Sequence, residues 1–443
     1  MTSATRERPA AAASPTGPSG APSGGPATPR ASSVTAAPRQ KSHPGHYGLI
    51  RLQQLVLIEL AGALLLVAAA IDALLLVPAG AVAVLLVLLA VVRRHRRSLP
   101  EWLATFFALR ARTRRAAASA VPPGTEPGLA PVVECEPSLR TYSFSDRDRR
   151  PVGMIGDGTF LTAVLQVEGA ATALRPERTA RPLPLALIRD VLEVDGIRLE
   201  SAQIVQHTQP APAPHLPEQS VAARNYAPLQ AQTGSPAVRI TWIALKLDPE
   251  LCPEAVAARG GGLDGAQRCV VRAADQLASR LTGAGFRATV LTEQELTGAL
   301  ATSTCASPLA IAQAGRGGST GRRTQETSRT WRCDDRRHTT YWVGRWPQLG
   351  GGAGGASLPQ LVALLTSVPA LATTFSLTLA GGDRRQDVTM TGHVRITGRS
   401  DEELVTARRE LERAARGVKT GLVRLDREQL PGMLATLPLG GVR

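Results

Sequence analysis

A 41-residue apolar run at residues 52–92 contains only two charged side chains, Glu59 and Asp72. One membrane-spanning helix takes about 20 residues, so the run predicts two spans, at about 52–70 and 74–92, with a tight turn at Asp72. Inside a bilayer the backbone polar groups must be satisfied within the chain, which favours a helical hairpin at residues 49–97. The run is longer than the about 7 to 15 apolar residues of a secretory signal and begins after a long polar segment, which disfavours a cleaved leader.

Basic residues lie on both sides of this run. Six Lys or Arg and one Glu precede it, and residues 93–115 carry eight Arg and one Glu. Because positive charge is retained on the cytoplasmic side, both ends of the hairpin are expected there, which predicts a two-span protein of the cell membrane with a cytoplasmic N-terminus and C-terminal domain. The net charge of +15 is therefore concentrated beside the apolar run, and the near-neutral remainder argues against a nucleic-acid-binding function.

Residues 98–120 predict a basic amphipathic helix at the membrane surface, because aromatic residues precede a cluster of arginines. Glu59 lies inside the first predicted span, where an exposed carboxylate is costly, so we expect it to face another helix or an interfacial arginine. The candidate membrane or partner contacts are Glu59, Trp102, Phe106, Phe107, Arg110 and Arg114. Contact with lipid and docking on another membrane subunit both remain open for this helix.

The rest of the chain predicts a tail, a linker and one large domain. Residues 1–48 are rich in Pro, Ala, Ser and Gly and predict a disordered tail. Residues 121–131 form a Pro-Gly linker, and residues 132–443 form the cytoplasmic domain, with polar insertions near 209–236 and 303–328. Five cysteines without a CxxC pair indicate neither a disulfide framework nor a zinc site.

Within this domain, strand-like and helix-like stretches alternate. Apolar alternation with branched residues predicts strands at 159–168, 198–206, 238–247, 286–291, 339–346, 373–379 and 388–397. Capping signals and apolar periodicity predict helices at 184–194, 265–282, 293–301, 358–367 and 401–416. The fold class is therefore a membrane-anchored α/β or α+β protein with a mixed sheet.

No catalytic motif is complete. Residues 317–321 spell GxSxG but follow a Gly- and Arg-rich loop instead of the hydrophobic strand that a nucleophile elbow needs. Asp334 and Asp335, with Cys333 and His338 nearby, have ligand types that a divalent metal uses, yet surrounding arginines favour a solvated turn of paired charges. We therefore expect no enzyme, no cofactor and no metal.

Several stretches together resemble a known family. They are residues 152–168 (VGMIGDGTFLTAVLQVE), 338–347 (HTTYWVGRWP), 393–411 (HVRITGRSDEELVTARREL) and 425–440 (LDREQLPGMLATLPLG). With the order of tail, hairpin, basic helix and C-terminal domain, the chain from residue 49 to 440 resembles EccE, a membrane component of the type VII (ESX) secretion system. The resemblance implies a non-catalytic scaffold subunit of the inner-membrane core complex, beside other subunits and a separate motor ATPase.

A second hypothesis remains open. The cytoplasmic domain of that family is similar in fold to glycosyltransferases, so the resemblance also permits a membrane-tethered enzyme or ligand-binding domain that uses a sugar-nucleotide. The scaffold is expected to co-purify in a large complex and tolerate loss of Asp334 and Asp335. The enzyme is expected to lose sugar-nucleotide binding when both residues become Ala.

Overall fold

The computed structural model of the 443-residue chain describes most of the C-terminal domain and parts of the N-terminal region. The described residues are 39–40, 52–72, 76–91, 93–94, 97–118, 121–145, 150–169, 182–210, 219–221, 224–225, 238–316, 321–347, 357–382 and 387–441. Residues 39–40 and 52–58, and the described ones within 88–102, are described by their backbone alone. The predicted disordered tail at 1–48, apart from residues 39–40, and most of the insertion at 209–236 therefore lie outside the described residues.

The described helices are numbered in chain order. They are α1 (Leu52–Ile71), α2 (Leu76–Val91), α3 (Leu99–Ala118), α4 (Ala130–Val133), α5 (Leu185–Asp190), α6 (Pro253–Ala258), α7 (Gly262–Gly283), α8 (Glu293–Ser303), α9 (Pro308–Gly315), α10 (Leu358–Thr366), α11 (Asp401–Gly417) and α12 (Gln429–Leu434).

The described strands are numbered in the same way. They are β1 (Arg39–Gln40), β2 (Arg93–Arg94), β3 (Arg97–Ser98), β4 (Arg140–Ser145), β5 (Pro151–Gly156), β6 (Leu161–Gly169), β7 (Glu193–Val194), β8 (Ile197–Arg198), β9 (Ser201–Gln209), β10 (Val238–Leu247), β11 (Phe286–Val290), β12 (Thr324–Glu326), β13 (Trp331–Cys333), β14 (Arg336–Arg345), β15 (Ala372–Gly381), β16 (Val388–Gly398) and β17 (Gly421–Arg424).

Helices α1 and α2 occupy the apolar run and pack against each other through small side chains. Ala61 and Ala68 of α1 and Ala79 and Ala83 of α2 are buried. Within the described part of the chain, however, no helix combines the length and the apolar character that crossing a bilayer requires. The structure therefore does not support the predicted transmembrane hairpin; α2 has 16 residues, whereas one span takes about 20.

The C-terminal domain is built on one large sheet whose strand order is β12-β13-β14-β16-β15-β9-β10-β6-β5-β4. Every pair within this sheet is antiparallel except the short pair of β1 with β16. Of the two predicted alternatives, the α+β class is therefore the one that the structure confirms. Sequentially adjacent strands that pair antiparallel need no crossover helix, which is why the helices cover the faces as separate layers.

The sheet consists of two similar halves that meet at the pair of β9 with β15. From the middle outward, β9-β10-β6-β5-β4 has the same order as β15-β16-β14-β13-β12, and β9 pairs with β15 at the centre. Strand β11 pairs with β6 beside β5, and β17 pairs with β14 beside β13, so the sixth strands also correspond. In chain order each copy has three strands, a helix, two strands, a long helix, one strand and a short helix, and the first copy also contains β7, β8 and α6. The domain is therefore an internal structural duplication.

Helices cover both faces of this sheet. One hydrophobic core lies beneath α7, α10 and α11, and a second lies beneath α4, α8 and α12. Strand β16 shows how the sequence serves both faces, because its residues alternate: Met390, Val394 and Ile396 enter the first core, and His393 and Arg395 point the other way. The second face is unusually polar for a buried surface.

All seven predicted strands and all five predicted helices are present, with shifts of a few residues at their ends. Strands β4, β5, β12, β13 and β17 and the short helices α4, α6, α9 and α12 were not predicted. The predicted polar insertion at 303–328 contains α9 and β12. The proposed domain boundaries remain predictions.

Candidate functional site

Helix α3 carries most of the predicted contact residues, and an ion pair fixes it to the sheet domain. Arg112 Nε lies 2.9 Å from Glu326 Oε2 and Arg112 Nη2 lies 3.0 Å from Glu326 Oε1. Arg112 Nη2 also donates to the backbone oxygen of Arg427 at 2.5 Å. A two-pronged guanidinium–carboxylate contact sets direction as well as distance, so this pair holds α3 in one orientation on the domain.

Arg322 makes a second connection at the end of α3. Its Nη1 donates to the backbone oxygen of Ala116 at 2.6 Å, and its Nη2 donates to that of Glu134 at 3.0 Å. The Glu134 carboxylate in turn accepts from the backbone N–H groups of Arg323 and Thr324. The last turn of α3, the segment after α4 and strand β12 are thereby joined in one hydrogen-bond network, which we call the α3 anchor (Arg112, Ala116, Glu134, Arg322 and Glu326).

The opposite side of α3 presents the predicted contacts to solvent. Phe107 is 61% exposed and Phe106 is 38% exposed, with their rings edge to face at 5.7 Å between centroids. Arg110 and Arg114 are exposed as well. We call these four residues the α3 outer face. An aromatic pair beside exposed arginines suits a surface that is apolar in part and negatively charged in part.

Trp102 and Glu59 are the two remaining predicted contacts. The side chain of Trp102 lies outside the described part of the chain, and Glu59 is exposed on α1. The sequence predicted contacts at Arg110 and Arg114 but not at Arg112. Arg112 is the arginine of α3 that pairs with Glu326 of the sheet domain. No local signal pointed to this pair, because Glu326 lies in a polar stretch and is separated from Arg112 by 214 residues of sequence.

The acidic pair Asp334–Asp335 lies in the turn between β13 and β14 and is held by arginines. Arg323 contacts both carboxylate oxygens of Asp334, at 2.8 and 2.7 Å, and the backbone N–H of Ser307 donates to the same carboxylate at 2.8 Å. Burial acts to raise the pKa of Asp334, but the hydrogen bonds and charge of Arg323 outweigh it and the pKa is lowered. Asp335 is exposed and lies 3.5 Å from Arg336. Arg323 and Ser307 thus hold the Asp334 carboxylate within the turn.

No group of three or more His, Cys, Asp or Glu side chains in the described residues could hold a metal ion. A cleft of about 430 Å³ lies between the β5–β6 turn and helices α6 and α7. Its wall is mainly apolar, with Phe160, Val256 and Leu263, and Glu250 is its acidic member. Asp334 and Asp335 do not line this cleft, so the acidic pair and the cleft are separate features of the domain.

A cluster of buried polar side chains on the second face of the sheet was not predicted. Arg395 is completely buried, and its Nη2 donates to the backbone oxygen of Ser303 at the end of α8. Thr374 lies opposite it on β15 and Thr340 opposite it on β14. His338 is also completely buried, and its Nδ1 lies 2.9 Å from Thr397 Oγ1. We call Thr340, His338, Thr374, Arg395 and Thr397 the Arg395 cluster.

Burial sets the protonation of the ionisable groups in and around this cluster. It lowers the pKa of Arg395 to about 10, so the guanidinium stays charged at neutral pH. Burial and the charge of Arg395 together lower the pKa of His207 to about 3 and that of His338 well below its ordinary value. Burial also raises the pKa of Cys305. The cluster therefore carries one positive charge with neutral neighbours.

One comparison with known proteins matches a part of the chain to a family model. Residues 235–343 match the family model described as EccE, putative type VII ESX secretion system translocon. This match confirms the resemblance stated from the sequence, over the segment from β10 into β14. It includes Glu326 of the α3 anchor and Asp334. No curated protein matches the chain.

Proposed function

We propose that this protein is a non-catalytic structural subunit of the inner-membrane core complex of a type VII secretion system, where it supports assembly and export. The match of residues 235–343 to the EccE family carries this proposal. Its partners are then other membrane subunits of the system, including the motor ATPase, and the lipid bilayer. The ion-paired Asp334 and the apolar cleft favour the structural role over a sugar-nucleotide enzyme.

The same proposal places α1 and α2 in the membrane as two spans, with the N-terminus and the sheet domain on the cytoplasmic side. Large apolar side chains on these helices are open to their surroundings: Leu66 is 75% exposed, Ile71 69% and Val77 79%. Continuous exposure of this kind is unfavourable in water and marks a surface that another apolar phase covers. The basic residues on both sides of the run supply the orientation.

The α3 outer face is then the part of the subunit nearest the headgroups. Phe106 and Phe107 suit the boundary between acyl chains and headgroups, and Arg110 and Arg114 suit anionic lipid or an acidic partner. Because the α3 anchor holds this helix on the sheet domain, contact at the outer face also sets the orientation of the whole domain. In this way a non-catalytic subunit contributes to the assembly of the complex.

Mild detergent extraction of the tagged protein from its native membrane tests the proposal. Size analysis and mass spectrometry of the extract are expected to show a large assembly that contains an ATPase and other membrane subunits. A lone monomer or dimer that persists across several detergents would contradict it.

A binding experiment separates this role from the enzyme alternative. Sugar-nucleotide binding in the presence of a divalent metal is measured on the full-length protein and on a variant with Asp334→Ala and Asp335→Ala. The structural role predicts no binding by either protein. Saturable binding that the double substitution abolishes would favour the enzyme.

A further inference from the structure

Arg395 is buried without a negatively charged partner. Beyond the bond to Ser303 O, its Nη2 lies 3.4 Å from Ser303 Oγ and from Thr374 Oγ1, which are weak contacts with neutral groups. Its Nε and Nη1 have no hydrogen-bond partner among the described residues. A buried charge is costly unless an opposite charge or a full set of hydrogen bonds compensates it, so this arrangement is incomplete as it stands.

The neighbours of Arg395 on the same face are also incomplete. Thr340 lies directly opposite Arg395 on β14, and its Oγ1 has no partner among the described residues. His338 lies two residues before Thr340 on β14, on the same face of the sheet. Its Nε2 is buried without a hydrogen-bond partner among the described residues, and its Nδ1 lies 2.9 Å from Thr397 Oγ1. When Nδ1 accepts from Thr397, the neutral ring carries its proton on Nε2. Four unused polar atoms, mostly donors, therefore lie around one positive charge.

The internal duplication supplies a comparison at the equivalent place. Ala244 lies three residues before the end of β10, as Arg395 lies three residues before the end of β16. Ala244 pairs with Gln203 and Val164 in the register in which Arg395 pairs with Thr374 and Thr340. The equivalent position in the first half is therefore apolar, and the fold does not need a charge there.

Polar groups near Ala244 are also well satisfied. Gln203 Nε2 donates to Ala435 O and Ser376 Oγ, both at 2.8 Å, and Gln203 Oε1 accepts from the backbone of Leu439 and Gly440. Thr162, which corresponds to His338, donates to Leu439 O at 3.0 Å. The polar face of the first half is thus closed by the backbone of the segment after α12, and the second half leaves donors unused around a cation.

We propose that the Arg395 cluster is an internal binding site for a small inorganic anion, held by Arg395 Nε and Nη1 together with Thr340 Oγ1 and His338 Nε2. An anion supplies the missing charge, and it accepts from guanidinium, hydroxyl and imidazole N–H groups alike. The complete burial of these groups favours a small anion such as chloride over a larger one. The neutral state of His338 and the raised pKa of Cys305 leave Arg395 as the charge that the ion balances.

Thermal unfolding of the full-length protein in detergent tests this site. Chloride is exchanged for gluconate, which is too large for the site, at constant ionic strength. A ligand that binds only the folded state lowers the unfolding equilibrium constant about tenfold for each tenfold rise in chloride above its dissociation constant. We expect that dependence in the wild type, its loss in Arg395→Met, and its retention in Arg413→Met, which removes an exposed arginine.

A second measurement needs no variant. Crystals grown in bromide are expected to show an anomalous peak within hydrogen-bond distance of the Arg395 guanidinium. Equal stability in chloride and gluconate, chloride dependence that persists in Arg395→Met, or a water molecule in place of the bromide peak would each overturn the proposal.

Discussion

Single buried side chains set the response of this domain to acid. His207 is completely buried, and burial followed by the charge of Arg395 lowers its pKa to about 3 from an ordinary value of 6.5. Below pH 6.5 His207 is therefore protonated in the unfolded chain but stays neutral in the folded chain. The free energy of unfolding falls for this reason as the pH drops from 6.5 toward 3. Above pH 6.5 this effect is absent.

We predict a loss of about 1.4 kcal/mol at pH 5.5 from His207 alone, with a further loss in the same direction from His338. Denaturant unfolding of the full-length protein between pH 7.5 and 5 measures it, and His207→Gln is expected to flatten the profile. Asp157 and Asp334 have pKa values lowered from 3.8, so their protonation changes the free energy of unfolding only at lower pH. An unchanged slope in His207→Gln would show that this histidine is not the group responsible.

The two aspartates of the β13–β14 turn are predicted to differ sharply. Asp334 has φ 52°, accepts from Arg323 and Ser307, and is largely buried, whereas Asp335 is 61% exposed at its side chain. Asp334→Asn keeps a residue that tolerates this backbone conformation but removes the charge, and we expect a cost of about 2–3 kcal/mol in unfolding free energy.

Asp335→Ala is the matched control for this substitution, with an expected change within about 0.5 kcal/mol. Chemical denaturation compares the two variants. Equal costs would mean that the Arg323 pair is not what stabilises the turn.

At this scale the sequence predicted the character of Asp334 but not the site around Arg395. Three arginines beside Asp334–Asp335 already favoured ion pairing over metal binding, and the partner proved to be Arg323. Arg395 sits in the alternation Thr389, Thr391, His393, Arg395, Thr397, which indicates a polar face. Such a face ordinarily meets solvent, but here the end of α8 and helix α12 lie on it and make it an interior.

Helix α3 is the element on which the functional account depends. Its anchor predicts that Arg112→Gln, which keeps length but loses the charged two-pronged contact, frees the helix from the sheet domain. Hydrogen exchange of the α3 amides in the full-length protein is expected to become at least about tenfold faster, because a lost pair of this kind is worth more than about 1.4 kcal/mol. Arg114→Gln, on the exposed side, is the control.

Protection of α3 that is equal in both variants would show that another contact holds the helix. The result matters for function, because a free α3 would still meet the membrane but would no longer orient the domain.

Long elements were predictable from local pattern, and short ones were not. Strand β10 was predicted with both of its ends, because ten residues of branched and apolar side chains leave little choice. Strands β12 and β13 have three residues each and form because β13 pairs with β14 and β12 pairs with β13. Helix α9 lies in a segment predicted as a polar insertion, and its eight residues are too few to establish a helical period.

The whole domain is organised by its duplication, in which each half ends in a segment that covers the other. The end of α8 and the residues after it lie on the second half, where Ser303 O accepts from Arg395 and Cys305 contacts Thr397, and the residues after α12 lie on the first half, where Gly440 O accepts from Ser201 at 2.5 Å. Leu437 and Leu439 are buried there.

A truncation after Leu434 is therefore predicted to lower the unfolding free energy by more than about 4 kcal/mol, since it exposes apolar surface and removes three of the four hydrogen bonds of the Gln203 side chain. Chemical denaturation measures the loss, and a truncation after Gly441 is the control with little expected change. A truncation after Leu434 that unfolds like the full-length protein would mean that the two halves do not depend on each other's ends.

The duplication could not be predicted from the residues. Equivalent positions hold Ala244 and Arg395, Gln203 and Thr374, or Thr162 and His338, which share no side-chain chemistry. What they share is strand register, which is a property of the folded sheet. Fold class and family resemblance were accessible from pattern, whereas the pairing of distant segments was not.

The central claim is that the α3 outer face meets the membrane and neighbouring subunits of a secretion complex. A photo-crosslinking amino acid at Phe107, in cells that make the full-length protein, tests it most directly, with the same amino acid at Val405, an exposed position on α11, as control. We predict crosslinks from position 107 to lipid or to another membrane subunit of the secretion system, and none of these from position 405. Crosslinks from position 107 only to soluble proteins, or the same products from both positions, would contradict the account.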